Sequence, residues 1–171
     1  MNRTQHVASL TWSGCRPEAD DQTIDQLEHQ VGVRFPPDFR QVMKLCHGGT
    51  PEERCEFDYQ HPQLGTVGSG IGAMLRLPLE EEDLESIVGT IAMLDDQLPD
   101  GLIPFATDGG GDFMCLDYRH DSNQPPVVYW AHEEDKDASV FPLADSFSEF
   151  LDMLIPQRSI EDYQRANEYK G

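Results

Sequence analysis

Cysteine and histidine are the residue types in this sequence that are best suited to hold a metal, and one stretch brings several together. The candidate zinc ligands are Cys46, His47, Cys55 and His61. Zinc sites are normally anchored by ligand pairs at CxxC or HxxxH spacing, and neither spacing occurs here. A second candidate, His132-Glu133-Glu134, lacks the second histidine of the HExxH helix of metalloproteases. The spacing therefore argues against a metal centre at either place.

The segment Asp108-Gly109-Gly110-Gly111-Asp112 is the next candidate, as a calcium or phosphate loop. No Gly-Lys-Ser/Thr follows it, so it is not a P-loop, and it lacks the alternating acids and terminal glutamate of an EF-hand. Short apolar runs lie on both sides, which predicts flanking strands and leaves no helix N-terminus for a phosphate. The pattern favours a hairpin turn, in which glycine adopts positive φ without steric penalty.

The chain contains no recognised motif for covalent or acid–base catalysis. No serine lies in a GxSxG elbow, and no cysteine lies in a known nucleophile context. With 32 acidic residues, neighbouring carboxylates are expected by chance and carry little weight. We therefore expect a protein without enzymatic activity and without a cofactor. A metal-dependent hydrolase using Asp108 and Asp112, or the cysteine–histidine set, is the least favoured alternative.

The charge balance is the most unusual global property: 12 basic against 32 acidic residues give a formal net charge of −20. Such a chain repels phosphate backbones and carries no polybasic membrane patch, so neither nucleic acid nor a membrane is an expected partner. The acidic runs are typical of a solvated surface, and their functional alternative is a negative docking face for a basic protein, steered by charge. The residues of this candidate face are Glu80, Glu81, Glu82, Asp83, Glu85, Asp95, Asp96, Glu133, Glu134 and Asp135.

The length of 171 residues predicts one domain with a core that needs no metal or disulfide. The four cysteines are scattered and two lie in apolar segments, so they are expected to be thiols in a reducing compartment. No secretory signal pattern and no apolar run of membrane-spanning length is found. A cytoplasmic protein is the default expectation, and the oligomeric state stays open.

Three apolar runs within 101–130 predict antiparallel strands that form the central sheet. A helix capped by Thr23 with Gln26 is predicted to end at Gly32, and a second to begin at Pro36-Pro37. A third is predicted from Pro78 with a core face including Leu84, and a closing helix from Ser146. Residues 55–59 predict an edge strand, 61–70 a loop and 71–77 a strand. The fold class is α+β, with 1–19 an irregular extension, 20–155 the domain and 156–171 a polar tail, helical or frayed.

Five motifs in this order resemble one known family. They are LEHQVG at 27–32, FPPDFR at 35–40, LCHGG at 45–49, LIPFATD with GD and CLD at 102–117, and SFSEFL at 146–151. Together they are similar to the motifs of the SUKH superfamily, which includes fungal cell-wall assembly regulators and many bacterial immunity proteins. His47 departs from the family pattern, where asparagine is usual, and the match is weak over residues 50–100.

The resemblance implies a non-enzymatic α+β binding module, commonly one that neutralises a toxin, often a nuclease, by direct contact. It implies no catalytic site, because the shared residues are turn glycines, prolines and core positions. A housekeeping regulatory or scaffold domain is the alternative, and residues 50–100 are where partner specificity is expected to vary. The motif residues expected to be structural are Pro36, Pro37, Gly48, Gly49, Pro104, Asp108, Gly111, Asp112 and Asp117.

Overall fold

The computed structural model of the protein describes residues 3–7, 10–53, 55–77, 83–120 and 123–156. Its elements, in chain order, are β1 (Arg3–Val7), β2 (Leu10–Cys15), α1 (Asp21–Val31), α2 (Pro37–Leu45), β3 (Thr50–Pro51), β4 (Cys55–His61), β5 (Gly65–Ile71), β6 (Ala73–Met74), α3 (Ile87–Met93), β7 (Leu102–Thr107), β8 (Phe113–Asp117), β9 (Val127–Trp130), β10 (Val140–Ala144), α4 (Phe147–Met153) and β11 (Ile155–Pro156). Helices and antiparallel strands are mixed as the α+β prediction required. The tail predicted over 157–171 lies outside the described residues.

The central sheet confirms the strands predicted between residues 101 and 130. Its described strands are ordered β10-β9-β8-β7-β6, and every neighbouring pair is antiparallel. All residues of β8 and β9 are buried, because both faces of the sheet are covered. On one face the ring of Phe105 packs against Phe39 of α2 and against Phe147 and Phe150 of α4. This aromatic cluster joins the sheet to two helices.

A smaller sheet, ordered β11-β4-β5, corrects two predictions about residues 55–70. The strand predicted to be an edge is the central one, since Cys55 and Glu56 also pair with β11. The predicted loop contains a full strand, β5, paired with β4 over seven residues. Its three glycines hide it, because a strand without side chains shows neither apolar alternation nor strand propensity.

The N-terminal region is also ordered, contrary to the irregular extension that was predicted. β1 and β2 form an antiparallel hairpin, and β2 also pairs with β3. Leu10, Trp12 and Cys15 of β2 are buried, so this strand contributes to the core. Cys15 of β2 forms a disulfide with Cys46, which follows α2, while Cys55 and Cys115 are buried thiols. The expectation of four thiols is therefore wrong. The argument for a reducing compartment depended on it and no longer holds.

The helix boundaries that are set by a glycine or a proline were predicted correctly. Gly32 ends α1 with φ 76°, and Pro37 is the first residue of α2, as expected. The N-cap of α1 is Asp20, whose carboxylate accepts the Thr23 N–H at 2.8 Å, so the cap lies three residues earlier than predicted. The third helix begins later than predicted, after Ser86, which leaves Leu84 outside it and 57% exposed.

Candidate partner-binding surface

A polar cluster at the β7–β8 turn links the central sheet to the β4–β5 hairpin. Asp108 accepts the N–H groups of Gly110 and Asp112 at 2.7 and 3.1 Å, which closes the predicted turn. The hydroxyl of Tyr129 lies 3.0 Å from Asp108 Oδ2 and 2.6 Å from Asp112 Oδ2. Ser69 of β5 donates to the same Tyr129 oxygen at 3.4 Å. The cluster therefore fixes the hairpin to the sheet.

Two histidine–carboxylate pairs extend this cluster. His132 Nδ1 lies 2.5 Å from Asp112 Oδ1, and His61 Nε2 lies 3.0 Å from Glu134 Oε1. The hydrogen bond to Asp112 raises the pKa of His132 above its ordinary value, so the charged imidazolium is favoured there. Gly111 allows this approach, because a Cβ there would lie 3.1 Å from His132 Cε1 and its φ is 105°.

The chemistry of the cluster is that of a structural network. Burial and the hydrogen bond to Asp112 raise the pKa of Tyr129, so its hydroxyl stays protonated and can donate. The carboxylates of Asp108 and Asp112 are bonded to this hydroxyl, to His132 and to the turn's own backbone. Within the described residues, no group of three or more His, Cys, Asp or Glu side chains is placed to hold a metal ion.

Three further motif residues, Gly48, Gly49 and Asp117, lie in closely packed or hydrogen-bonded positions. A Cβ at Gly49 would lie 2.5 Å from Cys46 Sγ, so glycine makes room for the disulfide. A Cβ at Gly48, whose φ is 69°, would lie 2.6 Å from the Arg76 side chain. Asp117 is 3% exposed and accepts two hydrogen bonds from the Arg119 guanidinium. Burial alone would raise the pKa of Asp117, but these bonds hold it below its ordinary value.

His47, at the position where the resemblance leads us to expect asparagine, is held as a neutral imidazole. Its Nδ1 accepts the Leu77 N–H at 3.3 Å, so its Nε2 carries the hydrogen donated to the Pro17 carbonyl at 3.1 Å. Burial lowers the pKa of His47, and the charges of Arg16 and Arg76 act in the same direction. A neutral histidine thus supplies one donor and one acceptor, as an asparagine side chain would.

The variant His47→Asn is expected to lose less free energy of unfolding than the native chain when the pH is lowered. Because the folded-state pKa of His47 lies below the unfolded value of about 6.5, the unfolded chain binds more protons below that pH. The native chain should therefore lose up to about 1.4 kcal/mol through this group between about pH 7.5 and 5.5. Urea unfolding of both proteins at the two pH values measures the difference. An unchanged pH slope in the variant would contradict the neutral assignment.

The residues of the predicted acidic docking face lie in different surroundings in the structure. Glu80, Glu81 and Glu82 lie outside the described residues. Asp83 and Glu85 both contact the guanidinium of Arg76, and Glu134 is paired with His61. Lys136 Nζ donates to the Asp96 carbonyl at 3.5 Å, which brings the loop after α3 beside the loop after β9. Asp95, Asp96, Glu133 and Asp135 are all exposed, and this lysine contact links the two loops that carry them.

A second acidic surface, which the sequence analysis missed, lies on the β4–β5 hairpin. A cleft of about 600 Å³ is lined by the carboxylate residues Glu53, Glu56, Asp58 and Asp108. Among the described residues that line it, there is no lysine, arginine or histidine. Its remaining walls are formed by Thr50, Pro51, Cys55, Ile71, Ser69 and three glycines. We call this the acidic cleft.

The sequence contains part of the pattern from which the acidic cleft could have been predicted. The alternation in CEFDYQH places Glu56 and Asp58 on the outer face of β4, where the structure shows them exposed. The missing element was β5, whose register sets Gly70 opposite Glu56 and Gly68 opposite Asp58. Only the folded chain also brings Asp108, some 40 residues further on, to the same cleft.

Comparisons with known proteins place these observations in a family context. The model of the SMI1 / KNR4 family (SUKH-1) matches residues 18–153. The SPbeta prophage-derived uncharacterized protein YokK of Bacillus subtilis (strain 168) is 26% identical over 151 residues, covering 80% of this chain and 75% of that protein. The match begins after the β1–β2 hairpin and ends before β11. Among the described residues, no helix is both long and apolar enough to cross a membrane.

Proposed function

The chain belongs to the SMI1 / KNR4 family (SUKH-1), and on that premise we propose that it is an immunity-type binding module that neutralises a cognate toxin by direct contact. The family match over 18–153 is the observation that carries the proposal. The polar side chains of the β7–β8 cluster bond to one another, which suits a scaffold that presents a surface.

The partner in this proposal is a basic toxin domain. With a net charge of −20, the chain attracts a positively charged protein over distances of about a Debye length and raises the rate of encounter. A toxin that cleaves nucleic acid needs a basic surface to hold its substrate, and an acidic inhibitor can occupy that surface instead. Steering by charge also gives the partner's binding a strong dependence on salt.

Two acidic surfaces are available for this contact. The first is the predicted face, of which Asp95, Asp96, Glu133 and Asp135 are exposed and lie in two loops linked by the hydrogen bond from Lys136 to Asp96. The second is the acidic cleft on the β4–β5 hairpin, which carries no basic lining residue among those described. Glu53, Glu56, Asp58, Asp95 and Asp96 of these surfaces lie between residues 50 and 100, where the resemblance to the family motifs is weak, whereas Asp108, Glu133 and Asp135 lie outside that range.

Co-expression tests the proposed function. The gene beside the one for this chain is expressed from an inducible promoter in a host that lacks both, with and without the chain. We expect the neighbour's product to arrest growth and the intact chain to restore it. A chain carrying Phe105→Asp, which places an unpaired carboxylate at a fully buried position and should not fold, is the control for non-specific effects of overexpression.

A neighbour that is harmless, or a toxin that the chain fails to counteract, would contradict the proposal. In that case a housekeeping regulatory or scaffold role would account for the same fold. Rescue by the Phe105→Asp chain equal to that of the native chain would also count against neutralisation by the folded surface.

A further inference from the structure

The outer face of the β4–β5 hairpin carries a row of alternating glycines. Gly68 and Gly70 lie two residues apart within β5, so they share one face of the strand, and Gly72 follows directly after the strand. Each lies beside an acidic residue: Gly68 is opposite Asp58, Gly70 is opposite Glu56, and Gly72 approaches the Asp108 backbone. The result is a floor of bare backbone, the glycine trough, with the carboxylates of Glu56 and Asp58 along its β4 side.

The fold itself requires only part of this trough. A Cβ at Gly70 would lie 2.8 Å from the Cys55 carbonyl oxygen, and one at Gly72 would lie 3.1 Å from the Asp108 carbonyl carbon, so both positions are crowded. At Gly68 the nearest atom would be Asp58 Oδ1, at 3.4 Å, and its φ is not in the left-handed region. Glycine weakens a strand interior, and such a residue often marks a place where another backbone approaches closely.

The position of β5 in its sheet points to what approaches. The order β11-β4-β5 leaves β5 at the edge, and no strand of the described residues pairs with its outer side. An edge strand offers a row of backbone donors and acceptors to an added strand. The usual protections, lysine, proline or a bulge, are absent from Gly65–Ile71, and its pairing with β4 is continuous.

The carboxylates beside the glycine trough favour an added strand that carries basic side chains. It would lie about 4.8 Å from β5 and about twice that distance from β4. Long lysine or arginine side chains from it could cross the bare trough and reach Glu56 and Asp58, because no side chain stands in between at Gly68 or Gly70. A second copy of this chain is a poor occupant, since pairing β5 with β5 would bring two acidic clefts together.

We propose that the β5 edge and the glycine trough together bind an extended, lysine- or arginine-rich segment of the partner, added as a further strand. This inference rests on the proposed function, because it names the docking surface of that same module. The backbone of β5 supplies hydrogen bonds that do not depend on sequence, and Glu56 and Asp58 select basic side chains.

A defined peptide tests the surface without the toxin. The probe is a fluorescein-labelled octapeptide of alternating lysine and valine, with alternating glutamate and valine as its control. We expect the basic peptide to bind and to shift the amide resonances of Gly68 and Gly70 in the isotope-labelled chain. The double variant Glu56→Gln/Asp58→Asn should weaken binding by roughly tenfold, as expected for two partly screened charge pairs.

Further variants separate the surface from net charge. Asp100→Asn/Asp145→Asn removes the same number of exposed charges outside both acidic surfaces and should change binding by less than about twofold, while Asp95→Asn/Asp96→Asn tests the other acidic surface. Gly68→Thr keeps strand propensity and all charges, and a Cβ has room there, so the protein should fold and yet lose binding because the trough is filled. Equal binding of both peptides, no effect of Gly68→Thr, or resonance shifts confined to the loops around Asp96 would overturn the proposal. Self-association that Gly68→Thr abolishes would make a second copy the occupant and would overturn it as well.

The same variants in the rescue experiment distinguish this inference from the proposed function. Rescue that is lost with Gly68→Thr but kept with Asp95→Asn/Asp96→Asn supports both. Rescue kept by Gly68→Thr and by Glu56→Gln/Asp58→Asn, but lost with Asp95→Asn/Asp96→Asn, overturns the surface and leaves the function standing. Failure of the native chain to rescue growth counts against the proposed immunity function. The peptide measurement still tests whether the β5 edge and the glycine trough bind a basic strand.

Discussion

Replacing Phe105 with alanine is expected to lower the free energy of unfolding by about 3–5 kcal/mol. The side chain is fully buried on β7, and its ring lies 5.3 Å from the Phe147 ring and 5.7 Å from those of Phe39 and Phe150, measured between centroids. Truncation removes the packing that joins the central sheet to α2 and α4, and the surrounding rings can fill the cavity only in part. Urea unfolding followed by tryptophan fluorescence measures the change.

The variant Phe105→Leu is the matched control for this prediction. It keeps most of the apolar volume and should cost clearly less than the alanine variant, because the residual cavity is smaller. Val128, on β9, is also buried but is not aromatic, and Val128→Ala provides a second comparison. Equal losses for Phe105→Ala and Val128→Ala would show that the aromatic cluster has no special role.

Replacing Glu28 with alanine is expected to cost about 2–4 kcal/mol, because it breaks a buried polar junction. Glu28 is 8% exposed, and its Oε1 accepts the Phe35 N–H at 2.8 Å and lies 2.8 Å from Arg40 Nη1. The variant leaves the buried Phe35 N–H without its acceptor and removes the least exposed of the carboxylates around Arg40. The α1–α2 hairpin should therefore loosen first. Chemical unfolding gives the magnitude, and hydrogen exchange at the Phe35 amide reports the local loss.

Two neighbouring variants provide the controls for Glu28. Glu28→Gln keeps an acceptor for the Phe35 N–H and should lose less than the alanine variant. Asp25→Asn removes an exposed carboxylate that also contacts Arg40, and should cost no more than about 1 kcal/mol. A loss for Asp25→Asn as large as that for Glu28→Ala would mean that surface charge, and not the buried junction, stabilises the hairpin.

Local backbone chemistry explains which parts of the fold could be predicted from the sequence. Gly32 ends α1 because few other residues adopt its left-handed conformation, and Pro37 begins α2 because its missing N–H costs nothing there. The β7, β8 and β9 strands are continuous apolar runs between clear turn residues. β5 was missed because glycine carries no periodicity, and its pairing with β4 supplies the order that its own sequence does not.

Long-range contacts explain why the rest could not be predicted. The Cys15–Cys46 disulfide depends on β2 lying against the end of α2, and nothing in the spacing of 31 residues indicates it. The turn at Asp108–Asp112 was predicted, but its partners Tyr129 and His132 come from beyond the next strand. The acidic cleft likewise joins Asp108 to Glu56 and Asp58 across two sheets. Sequence reasoning therefore found the turn and missed the surface beside it.

The binding of the purified chain to the catalytically inactivated product of the neighbouring gene tests the central claim most directly. We measure the stoichiometry and the association rate by stopped-flow fluorescence at low and high salt. The account predicts a one-to-one complex of intact chains whose association slows by roughly tenfold or more as salt screens the attraction. A chain that protects cells yet forms no complex, or that chemically alters the toxin or a small molecule in doing so, would contradict it.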